Sequence, residues 1–147
     1  MRNTVIAGFA APLLAASLAA PVFAQECLPY SAEPAFPGPV RARYVAALDQ
    51  FDKVNSKGAP LGSVLAMVQQ DRANVHKFHK WGPEDGEDGY FTTTDRRARI
   101  SAGHWITWCY ENRADFERRL LNAWGFYQFT MFEGADGRLV THISALD

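Results

Sequence analysis

Phe126-Tyr127-Gln128-Phe129-Thr130-Met131-Phe132 and Leu139-Val140-Thr141-His142-Ile143-Ser144 are two aromatic or β-branched runs, joined by Glu133-Gly134-Ala135-Asp136-Gly137-Arg138. An Asp-Gly pair in so short a connection predicts a β-hairpin. In the simplest register Glu133 faces Arg138, Met131 faces Val140 and His142 lies opposite Phe129, so that a charge pair sits beside an apolar pair. The first strand carries aromatics of both parities: Phe126 and Phe132 on one face, Tyr127 and Phe129 on the other. A sheet covered on one side only leaves some of these four exposed, so they are the candidate contact surface for a protein partner or a small apolar ligand.

Working back from the hairpin, Asn112 is placed to cap a helix. Asp115 and Glu117 lie in its first turns, Arg118 and Arg119 follow, and Phe116, Leu120, Leu121 and Trp124 form an apolar stripe before Gly125, a C′ candidate. His104 to Tyr110 reads as strand from its aromatic and β-branched content, with continuation of the preceding helix across Gly103 as the other reading. Thr94 can cap a short helix from Asp95 toward Ala102. Its Arg96, Arg97 and Arg99 follow the acidic stretch Glu84-Asp85-Gly86-Glu87-Asp88-Gly89, and the two opposed charge clusters are expected to neutralise each other.

A longer helix capped by Ser63 carries Val64, Leu65, Val68, Val75 and Phe78 on one face and fades near Trp81-Gly82-Pro83. Val40, Tyr44, Ala47, Leu48 and Phe51 recur at helical spacing, which predicts another amphipathic helix from about Pro39 to Val54. Before it, Pro29, Pro34, Pro37 and Pro39 preclude helix, so residues 25–39 are an extended arm and residues 40–147 the globular part. The fold class is α+β: one small domain with helices on a short antiparallel sheet ending in the C-terminal hairpin.

Residues 1–24 read as an export signal. Arg2 precedes an uncharged apolar run from Val5 to Ala20, and Val22-Phe23-Ala24 supplies small residues for cleavage between Ala24 and Gln25. Pro12 and Pro21 interrupt the run, which argues against a membrane anchor, and no later segment is long and apolar enough to insert stably. The expected location is periplasmic or secreted. Removing 24 of the 147 residues leaves 123, with 14 basic and 16 acidic side chains. That balance gives no electrostatic footprint for nucleic acid. Cys27 and Cys109, the only cysteines, are expected to form a disulfide tying the arm to the body.

No catalytic constellation is complete, and no motif calls for a cofactor. His76 and His79, three apart on the second helix, are weak metal-ligand candidates with Asp88 and Asp95, in the acidic loop of residues 84–95. That loop departs from a calcium-binding EF-hand: Gly86 falls where a side-chain ligand belongs, and Asp95 replaces the bidentate Glu. His104 or His142 with Glu111 or Asp115 could make a proton-transfer pair only if the fold unites them. Ser63 and Ser101 lack the nucleophile elbow of serine hydrolases. The sequence therefore favours a non-catalytic binding role, of inhibitor, immunity or accessory type. A small metal-dependent or acid–base hydrolase using His76, His79 and the acidic loop is the first alternative, and a carrier of a small apolar ligand the second.

Overall fold

The computed structural model describes residues 26–146, and the export-signal reading of residues 1–24 falls outside them. Five strands and three helices follow in the order β1 (Cys27–Leu28), β2 (Val40–Leu48), α1 (Val64–Phe78), α2 (Thr94–Ser101), β3 (His104–Trp108), α3 (Arg113–Asn122), β4 (Gly125–Glu133) and β5 (Leu139–Ala145). The strands form one sheet in the spatial order β1-β3-β5-β4-β2. This is a small α+β domain, but its sheet is not the purely antiparallel one expected. The sheet is mixed, because β1 runs parallel to β3 and β3 parallel to β5, while β5-β4 and β4-β2 are antiparallel.

The predicted helix over 39–54 is instead β2 and the turn after it. Ala42, Tyr44, Ala46 and Leu48 bury at period 2, whereas two members of the helical pattern, Val40 and Phe51, stand 43% and 60% exposed. Both periodicities can be drawn through this alanine-containing stretch, and pairing with β4 (Tyr44↔Phe129, Ala46↔Tyr127) decides between them. Residues 104–108 are strand, as their composition suggests. Helix caps fall at Ser63, Thr93 and Asn112, each accepting a hydrogen bond from the backbone three residues on. Gly125 opens β4 rather than closing α3.

The hairpin forms one residue out of the simplest register. Glu133 pairs with Leu139, Met131 with Thr141 and Thr130 with His142. Gly137 adopts φ 76° behind a turn in which its N–H bonds Gly134 O, a three-residue loop with a bulge in place of a two-residue one. Glu133 therefore meets Arg41 and Arg99, not Arg138, which pairs with Asp136. The opposed charge clusters do not meet either. Arg96 and Arg97 donate to the backbone carbonyls of Tyr90 and Phe91, and Arg99 reaches across to the hairpin.

Both faces of the sheet are covered. Helices bury Tyr44, Leu48, Trp105, Tyr127, Phe129, Met131 and Ile143 on one side. On the other, Leu28, Ile106, Trp108, Phe132 and Val140 pack together under Phe36 of the proline arm. The arm lies close enough that a Cβ on Gly38 would meet Glu133 O at 1.9 Å. Disulfide Cys27–Cys109 fixes its start beside β3. Tyr127, Phe129 and Phe132 are thereby interior residues, so the contact surface expected of the hairpin is corrected. Only half-buried Phe126, edge-on to exposed Trp124, remains near solvent.

Candidate functional site

The apolar face of α1 is interrupted by two charges. Val64, Met67, Val68 and Val75 define that face, and Asp71 and Arg72 fall three and four residues after Val68. Both are enclosed completely. The Arg72 guanidinium stacks on the Tyr44 ring, 3.7 Å from its centroid. Its Nε donates to Asp71 at 2.7 Å, and its Nη1 donates to Asp88 at 3.0 Å and to Gly86 O at 2.9 Å. Asp88 Oδ2 also lies 2.8 Å from His76 Nε2, while its Oδ1 accepts the N–H groups of Tyr90 and Phe91. One helix, one strand and one loop are thus joined through a single buried cation.

The carboxyls in this region respond differently to their surroundings. Burial alone would raise the Asp88 pKa, but hydrogen bonds from His76, the Phe91 N–H and Arg72 outweigh it and hold it below the ordinary value. Burial lifts Asp71 to about 6 against the pull of Arg72. Asp52, on the turn after β2, is lifted to about 7, first by burial and then by the Asp71 charge. Its Oδ1 accepts Asn74 Nδ2 at 2.9 Å, and Gln70 Nε2 in turn donates to Asn74 Oδ1 at 2.9 Å.

Asn74 and Gln70 line a groove between that turn and the C-terminal half of α1. Phe51 and Phe78, 60% and 41% exposed, line it as well, as does Lys80. Among the described residues, no acidic side chain lines it. Exposed Lys77 places Nζ 5.0 Å from the Phe78 ring centroid, and His79, in a left-handed conformation, ends the helix.

Two of the metal candidates come together and two do not. His76 and Asp88 are in contact inside the ion network, but His79 is exposed at the helix end and Asp95 is exposed in the first turn of α2. Among the described residues no group of three or more His, Cys, Asp or Glu side chains is placed to hold a metal ion. The proton-transfer pairs do not assemble either. Glu111 is bound by Arg119 and Asp115 by Arg118. His142 is buried beneath the arm, 4.3 Å from the Trp108 ring, and burial lowers its pKa to about 4. Sequence reading passed over Arg72 and Tyr44. The available signal was the place of Asp71 and Arg72 on the apolar stripe, where an unpaired charge is costly.

Comparisons of the chain with protein-family models, with curated proteins and with solved structures return no match.

The Asp52 carboxyl gives a pH signature. Its folded pKa lies above the unfolded value, so its contribution to stability is full in acid and is lost as pH rises toward 7. Asp52→Asn is accordingly expected to gain stability relative to wild type between pH 4.5 and 7.5, by about 3 kcal/mol at most at ~1.4 kcal/mol per pH unit, and nothing further by pH 8.5. Urea midpoints at the three pH values check it; a difference that stays constant with pH refutes the assignment. Working as a difference also removes His142, whose lowered pKa acts in the opposite sense between about 4 and 6.5.

Proposed function

We propose that this protein is an exported, non-catalytic binding factor of inhibitor, immunity or accessory type, and that the groove beside the C-terminal half of α1 is its contact site. One observation carries the reading: two exposed phenylalanines, Phe51 and Phe78, line the groove with the polar Asn74 and Gln70 and with Lys80, and among the described residues no acidic side chain lines it. Large aromatics left in water beside basic side chains suit an acidic partner segment that inserts one apolar side chain between them. The disulfide supports an oxidising compartment, periplasmic or extracellular. No helix among the described residues is long and apolar enough to cross a membrane. The groove replaces the hairpin aromatics as the binding surface, since three of those four are interior.

The test is an NMR titration with two short peptides sharing a central leucine, one flanked by glutamates and the other by lysines. The acidic peptide is expected to shift the side-chain amides of Gln70 and Asn74, and Lys80→Glu to weaken it about tenfold, the loss of one well-placed charge contact. Equal binding of both peptides, or shifts confined to Trp124 and Phe126, would overturn the assignment.

A further inference from the structure

The outer edge of β2 is occupied by the chain itself. Gly86 N–H donates to Val45 O at 2.7 Å, and Ala47 N–H donates to the Asp85 carboxylate at 3.2 Å. A Cβ on Gly86 would stand 3.2 Å from Val45 N, so the loop lies flush against the strand. Residues 82–89 therefore stand where a sixth strand would pair, supplying one backbone donor and one side-chain acceptor. Asp88 locks them in place through Arg72 and His76, and Arg72 also holds Gly86 O.

This lock is imperfect. Glu84 adopts φ 64°, a left-handed conformation that a side chain disfavours. Among the described residues, buried Arg72 Nη2, Asp71 Oδ1 and Tyr44 OH meet no hydrogen-bond partner. Orphaned buried groups and backbone strain both lower the free energy needed to open the loop.

We propose that the β2 edge is a docking site for an extended acidic segment of a partner protein, and that residues 82–89 occupy it as an intramolecular competitor. The chemistry of the occupant is set by what it replaces: a carboxylate for the Ala47 amide, a backbone N–H for Val45 O, and a second carboxylate for Arg72. Strand addition of this kind draws its affinity from main-chain hydrogen bonds and its specificity from alternate side chains. The edge borders a different side of α1 from the groove, and the proposal stands without it.

The probe is a synthetic peptide with the sequence of residues 82–89, tested on wild type, Asp85→Ala and Asp88→Asn. In Asp85→Ala the Ala47 amide should exchange with deuterium about tenfold faster, while Tyr44 and Ala46, whose amides face β4, stay protected. The peptide should restore protection at Ala47 in that variant and bind wild type about tenfold more weakly, because the tethered loop competes at high effective concentration. A version with every Asp and Glu replaced by Asn and Gln should not bind. An unchanged Ala47 rate in Asp85→Ala, or an exposed edge that takes up neither peptide or takes up both equally, would overturn the proposal. Should Asp88→Asn fail to fold, Asp85→Ala, altered in a half-buried loop side chain, still decides the question.

Discussion

Replacing Cys27 and Cys109 together with serine is expected to cost about 4.5 kcal/mol, the loop-entropy value for a bridge closing roughly eighty residues, taken as an upper figure. The two half-cystines are 82 residues apart, and beyond the bridge the arm's first segment is held by a short pairing, buried Leu28 and the Tyr30 ring against Trp108 and Tyr110. Strand β1 has two residues, paired with Thr107 and Trp108, and Cys109 N–H adds one bond to Leu28 O. Behind this short pairing lie Ile106, Trp108, Phe132 and Val140, which the arm shields with Leu28 and Phe36. Loss of the bridge therefore has two signatures. The urea midpoint falls, and a dye that reports exposed apolar surface binds before the main transition, as the arm detaches ahead of the body. A variant whose extrapolated unfolding free energy stays within about 1 kcal/mol of wild type, the error of such extrapolations, refutes the idea that the bridge carries the arm.

Arg72→Met is the second large effect. Methionine fills much of the same volume but leaves Asp71 and Asp88 buried without their cation, a situation that costs about 3–5 kcal/mol when one partner of a buried pair is removed. The loss should depend on pH, and its sign is fixed by Asp71. Without Arg72 its carboxyl rises further above about 6, so protonation in mild acid removes the buried charge. The destabilisation is thus expected to be largest near pH 8 and much reduced near pH 5. Equal destabilisation at both values would mean that packing on Tyr44, and not charge, is what Arg72 contributes. Removing the acid as well, in Asp71→Asn/Arg72→Met, should recover part of the loss at pH 8.

Local signals carried much of the fold. Ser63, the alternating aromatics of 126–132 and the Asp-Gly turn each act within a few residues, and the elements they mark are present. What escaped was set by distant partners. Val40 to Leu48 supports two periodicities, and the choice is made by strand β4 more than seventy residues later. Two-residue β1 has no pattern to read. The hairpin register slipped because a left-handed Gly137 inserts one residue that the Asp-Gly pair alone does not reveal. At the site, the acidic loop and His76 attracted attention as metal ligands. Their partner is Arg72, and an arginine on an amphipathic helix ordinarily reaches out to water. Its enclosure depends on β2 being a strand, so one error concealed the other.

The sheet order places β5, which follows the other four strands in sequence, at the centre of all five. The β1–β3 and β4–β2 pairs can form before it, but the two halves become one sheet only when residues 139–145 pair with β3 and β4. Such dependence on remote pairing makes acquisition of structure slow and leaves a long interval for chaperone contact or aggregation. Having a single pair of thiols limits the damage: oxidation can come early or late, but within one chain it cannot join the wrong partners.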